Sequence, residues 1–159
     1  MEEAIEIYYG EGKGKTAAAV GHAVHAASMG QRVVIIQFLK GKGSGEYRII
    51  SRLEPEISLF CFEKSDVCYA ELSDKEQEEE RANIRNTLNY AKKVLATGEY
   101  ELVILDEVLG LVDEGVATGE EILQVLSVRR ESTKVILTGC KLDEQLRAIA
   151  DAVYKIDAE

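Results

Sequence analysis

A glycine-rich run ending in a lysine and a hydroxyl, Gly10-Glu11-Gly12-Lys13-Gly14-Lys15-Thr16, is the residue set here best suited to holding a polyphosphate. Glycines let the backbone curl until several N–H groups converge on an anion. A helix that begins at such a bend adds the partial positive charge of its N-terminus. Lys15 is spaced to reach the outer phosphates and the Thr16 hydroxyl to ligate Mg²⁺, the arrangement that serves a nucleoside triphosphate. The pattern departs from G-x-x-x-x-G-K-[ST] at its first glycine, where Tyr9 stands and Gly10 follows one place later. A glycine-rich turn with coincidental lysines is the plainer explanation, and the strand before and helix after the run weigh against it.

A second constellation is acidic. LVILDE ends an apolar run in Asp106 and Glu107, which puts two carboxylates at the carboxyl end of a buried strand. Open α/β sheets bind ligands at that edge. A carboxylate there completes a magnesium shell or orients a water, whereas its competing use is to cap the helix that follows. Lys15, Asp106 and Glu107 are therefore the candidate catalytic residues, and Thr16, Asp106 and Glu107 the candidate metal ligands. Thr138 and Gly139, which close KVILTG, are expected at the same edge as a third wall or a plain turn. His22 and His25 are three apart on a helix expected to pack on the sheet, which makes a poor metal pair. The run SDKEQEEER reads as a solvated helix start.

These groups need a scaffold that delivers them to one edge. Strands are predicted at Ala4–Tyr9, Arg32–Phe38, Ile57–Phe62, Glu101–Val108, Lys134–Gly139 and Ala152–Ile156, from short β-branched runs closed by turn residues. Helices are predicted from Lys15 to a stop at Gly30 and, more briefly, at Glu46–Leu53. A capping box at Ser73-Asp74-Lys75-Glu76 opens a long helix that closes at Gly98, with Ile84, Leu88, Ala91 and Leu95 as its buried stripe. Two more helices run from Thr118 to about Val128 and from Leu142 to Ala150. Residues 63–72 fit no period. Strand and helix alternate throughout, which predicts one α/β domain over residues 1–159, a mostly parallel six-stranded sheet with helices on both faces.

The 159 residues carry a net charge of −10, with 46% hydrophobic and 30% charged side chains. Such an acidic surface argues against a nucleic-acid partner or an anionic membrane. Cys61, Cys68 and Cys140 are odd in number and lack CxxC spacing, as expected of reduced thiols. With no apolar run long enough to span a bilayer and no signal-peptide pattern at MEEAIEIYYG, the expectation is a cytoplasmic protein.

The segments YYGEGKGKTAAAVGHAVHAASMGQRVVIIQFLKG and GEYELVILDEV, with Arg129 nine residues before Thr138 in KVILTG, resemble the P-loop type of ATP:cob(I)alamin (corrinoid) adenosyltransferase. The likeness runs from about Glu6 to about Ile156, and the family's own loop also lacks the first glycine. It implies a RecA-like P-loop NTPase fold in which ATP lies reversed. Co(I) of a reduced corrinoid would then attack the 5′ carbon of the ribose, and the whole triphosphate would depart. Carried onto this chain, Gly10, Glu11, Gly12, Lys13, Gly14, Lys15, Thr16 and Ala17 would hold the triphosphate, and Thr16 with Glu107 or Asp106 the Mg²⁺. Gln37, Lys40 and Gly41 would line the mouth and Arg129 would support the site. The chain departs from the family at Glu11, at Arg130 in place of a proline, and at Cys140 in place of the arginine of TGR. Segments 39–46 and 63–72 are the lengths expected to form a wall for the corrin. A second copy, or a corrinoid-carrying or reducing protein, is the expected partner. Two other functions fit the loop alone: an ATPase or kinase of another P-loop branch, or a nucleotide-binding paralogue without transfer activity.

Overall fold

The computed structural model describes residues 4–11, 14–39, 48, 50–61 and 69–159. Among these, the strands β1 (Ile5–Tyr9), β2 (Val33–Gln37), β3 (Ile57–Cys61), β4 (Leu102–Asp106), β5 (Lys134–Gly139) and β6 (Ala152–Lys155) form one sheet. Its order is β3-β2-β4-β5-β1-β6, and every pairing is parallel. Parallel strands need crossover connections, and among the described residues helices supply those after β1, β3, β4 and β5: α1 (Gly14–Ser28), α2 (Asp74–Thr97), α3 (Val108–Asp113) with α4 (Gly119–Ser127), and α5 (Glu144–Ile149).

The two faces of the sheet are covered unequally. Ala19, Ala23 and Ala26 of α1 pack on Val33, Ile35, Leu102 and Ile104. Small side chains let this helix lie close to the strands. The opposite face buries the predicted stripe of α2, together with Leu109 of α3, Ile122 of α4 and Leu146 of α5, against Val34, Ile36, Val103 and Leu105. Because the middle strands are buried on both sides, they read as unbroken apolar runs rather than alternating ones.

Helix ends follow the local chemistry. The Ser73 hydroxyl accepts the Glu76 amide at the start of α2, which stops at Gly98, and Thr118 accepts the Glu121 amide at the start of α4. The expected strand over Glu101–Val108 is shorter than the sequence implied. It ends at Asp106, Glu107 turns into the left-handed region at φ 62°, and Val108 opens α3. Glu107 occupies the N-cap position of α3 yet makes no side-chain capping bond. Of the helix expected at Glu46–Leu53, Arg48 and Ile50 are helical and Ser51–Leu53 form a 3₁₀ turn. Of the two segments expected to wall a corrin, Leu39 and Tyr69–Leu72 are described, and the rest lie outside the described residues. No helix among the described residues is long and apolar enough to cross a membrane.

Candidate active site at the carboxyl edge of the sheet

β5 separates β1 from β4, so the glycine run after β1 and the acids after β4 leave the sheet one strand apart. The N-terminus of α1 closes that gap. Thr16 Oγ1 donates to Asp106 Oδ1 at 3.0 Å, and Thr138 Oγ1, from the end of β5, donates to the same oxygen at 2.7 Å. Asp106 is 1% exposed and Thr138 is fully buried. Three chain segments remote in sequence thus meet on one carboxylate.

Thr138 also fixes the next residue. Its hydroxyl accepts the Glu107 backbone amide at 2.8 Å, which leaves its single proton directed at Asp106. The left-handed backbone at Glu107, uncommon for a residue with a Cβ, is held by this bond. The Glu107 carboxylate in turn lies 3.9 Å from Lys15 Nζ. Gly139, next along, admits only a glycine: a Cβ there would sit 2.3 Å from Leu109 Cβ, so α3 presses directly on the strand end.

Gln37 ends β2 beside Asp106, in register with it. Rather than lining an open mouth, it is fully buried, with Nε2 3.5 Å from Asp106 Oδ2. Its Oε1 is the buried side-chain atom without a hydrogen-bond partner among the described residues.

At Gly10 the chain bends with φ 135°, and its amide is shared between the carbonyls of Gly139 and Cys140 at 3.1 Å each. A Cβ here would meet the Ile156 carbonyl oxygen at 2.2 Å, so the bend passes under the end of the β6 segment. Gly14 opens α1, Lys15 and Thr16 are buried in its first turn, and Ala17 is exposed beside them. A cleft of about 630 Å³ flanks the bend, lined by Tyr9, Gly10, Glu11, Cys140, Lys141 and Lys155. Hydrogen bonds to Asp113 and Asp157 respectively raise the Lys141 and Lys155 ammonium pKa values, with the Glu11 carboxylate adding to both. Cys140, in the place of the expected arginine, is exposed at this cleft.

The structure therefore gathers Lys15, Thr16, Gln37, Asp106 and Glu107, with Gly10 and Glu11 at the adjoining bend. Gly12, Lys13, Lys40 and Gly41 lie outside the described residues. Arg129 is not gathered: its guanidinium donates to the carbonyls of Arg130 and Thr133, at 2.9 and 2.8 Å, before β5 begins. That is the amino end of the strand, opposite the glycine bend, where Arg129 holds a turn. Arg130 likewise ties down α2 through the Ala96 carbonyl. From sequence Thr138 is only a wall or a turn. Its role as the link between both acids rests on cross-strand geometry that no local pattern encodes.

A hydroxyl and a buried carboxylate at hydrogen-bond distance are hard oxygen donors. Together with phosphate oxygens they suit Mg²⁺, which takes few protein ligands and retains waters. His22, by contrast, is engaged with Tyr8, Nε2 to hydroxyl at 2.8 Å.

The family model described as ATP:corrinoid adenosyltransferase BtuR/CobO/CobP matches residues 1–159. A corrinoid adenosyltransferase of Escherichia coli K12 is 31% identical over 152 residues, covering 96% of this chain and 75% of the relative. The corrinoid adenosyltransferase CobA of Salmonella typhimurium is 29% identical over the same shares. Among solved structures, the KaiC-like protein PH0186 of Pyrococcus horikoshii OT3 superposes with a TM-score of 0.63 at 17% identity, over 99% of this chain and 74% of that one. Its likeness bears on the fold, that of the RecA-like P-loop NTPases.

Proposed function

The chain belongs to the ATP:corrinoid adenosyltransferase family BtuR/CobO/CobP, and from that membership we propose the reaction it performs. It transfers the 5′-deoxyadenosyl group of Mg-ATP to Co(I) of a reduced corrinoid. The cobalt electron pair forms the new bond to C5′. The C5′–O bond breaks, and its pair leaves with inorganic triphosphate.

The demand on the protein is then electrostatic: charge must be stabilised on a departing polyphosphate. Lys15 and the amide groups at the start of α1 supply positive character where that charge grows. Thr16 and Asp106 would hold the Mg²⁺, which supplies further counter-charge when bound. Glu107 orients the Lys15 ammonium, and Thr138 keeps both acids in place. The observation that carries the proposal is the bond from Thr16 to Asp106, which joins the phosphate-binding run to the acidic strand end. Neither group alone makes a triphosphate site.

The proposal includes a second copy, or a corrinoid-carrying partner, covering this edge of the sheet to keep water from Co(I). Anaerobic incubation of the protein with Mg-ATP and chemically reduced cobalamin tests the chemistry. A light-sensitive cobalt–carbon product, absent in Lys15→Ala, is expected. A cobalamin spectrum unchanged at every protein concentration would reject transfer.

A further inference from the structure

Gln37 has a feature that the transfer chemistry above does not use. Its side chain is fully buried, and among the described residues its Oε1 has no partner. A buried acceptor without a donor is destabilising, more so than a fully apolar side chain of the same size. The amide cannot relieve this by turning over. Its nitrogen end faces the carboxylate of Asp106, and a reversed amide would set oxygen against oxygen. The acceptor is therefore left over by the same contact that orients the side chain.

Its surroundings narrow what can fill the need. Asp106 Oδ1 already accepts two hydroxyls, and Oδ2 faces Gln37. The amide bond keeps Oε1 within about 2–3 Å of the nitrogen that meets Oδ2. A donor that reaches Oε1 this close to the Asp106 carboxylate must be small. Magnesium retains several waters when it binds a nucleotide through one hydroxyl and a carboxylate, and such waters are strong donors. We propose that Gln37 is a positioning residue for the hydrated cation: its Oε1 accepts a hydrogen bond from a metal-bound water beside Asp106. This inference rests on the divalent-nucleotide site of the preceding section, and it adds a residue on β2 to a site otherwise drawn from β1, α1, β4 and β5. It also explains why an amide stands at the end of a strand that is otherwise wholly aliphatic, VVIIQ.

Calorimetric titration of ATP, with and without Mg²⁺, tests this on the intact chain beside a melting curve. Gln37→Met keeps the length of the side chain and removes the acceptor. It is expected to melt at or above the wild-type temperature and to bind metal-free ATP as wild type does. The tightening produced by Mg²⁺ should shrink about tenfold, the equivalent of one charge-assisted hydrogen bond. A Gln37→Met protein that melts lower and keeps the full Mg²⁺ effect would overturn the inference and make Gln37 a structural residue. Wild-type binding that ignores Mg²⁺ would instead remove the site reading on which the inference rests. Should the variant not fold, the wild-type protein decides: Mn²⁺-ATP must broaden the side-chain amide signals of Gln37 in a nuclear magnetic resonance spectrum. Sharp Gln37 signals under saturating Mn²⁺-ATP would equally overturn it.

Discussion

Among the described residues, the two ends of the sheet bury one carboxylate each and treat it differently. At the amino end, Glu6 is 3% exposed, paired with Lys134 Nζ at 2.6 Å and accepting the Tyr8 hydroxyl at 2.9 Å. At the carboxyl end, Asp106 is as deeply buried but accepts two hydroxyls and faces an amide. A carboxylate matched to its own lysine is complete within the fold. One wrapped in hydroxyls beside a glycine bend would, under the proposed function, meet a cation that arrives with its ligand. Burial and acidity alone therefore do not distinguish the two carboxylates; the character of their partners does.

The difference sets out how mutation should separate the two ends. The largest effect belongs to Asp106→Asn, which keeps the size of the side chain and removes the charge. Transfer should fall about 100-fold or more while the melting curve holds close to wild type. Steady-state assays beside circular dichroism check it, and a comparable loss in Glu6→Gln would break the comparison. Lys15→Ala should weaken ATP by about 1.5–3 kcal/mol, read as roughly a 10- to 100-fold rise in Kd by calorimetry. At the amino end, Lys134→Met leaves Glu6 buried without its cation. About 1–3 kcal/mol of stability should be lost, below the cost of a fully buried pair because Lys134 is partly exposed, with ATP affinity unchanged. Thr138→Val removes one acceptor and one donor at once. A loss of about 1–3 kcal/mol by denaturant titration is expected, together with reduced turnover, while Thr138→Ser should restore most of the turnover. The smallest effect is that of Arg129→Met, about 1 kcal/mol in stability with normal nucleotide binding, because its two bonds hold only a turn.

Much of this scaffold is legible from local patterns, and the reasons are physical. Strands buried on both faces must be continuously apolar, so RVVIIQF and KVILTG announce themselves. Hydroxyls at Ser73 and Thr118 and the glycine at Gly98 mark helix ends where the structure has them. The short helix α3 is not legible. LVILDEVLGLV is apolar on both sides of its acids, and six helical residues with Gly110 among them are too few to show a period. The break depends on a left-handed Glu107, whose cause, the Thr138 hydroxyl, lies 31 residues away. Arg129 teaches the converse: the family resemblance implied a place for it in the site, yet a strand's length lies between it and Thr138. The acids and the glycine run could be read as a site because each is a strand end, and strand ends in a parallel sheet share an edge. Which groups touch there follows from strand order, with β5 between β1 and β4, and no local pattern specifies that order.

Under the proposed function, this carboxyl edge stabilises a departing triphosphate and not a transferred phosphoryl group. Phosphorus-31 magnetic resonance of a reaction containing Mg-ATP and Co(I) cobalamin tests that most directly. The account predicts inorganic triphosphate, formed in step with adenosylated cobalamin and only when the reduced corrinoid is present. ADP and orthophosphate, appearing at the same rate with or without corrinoid, would contradict it.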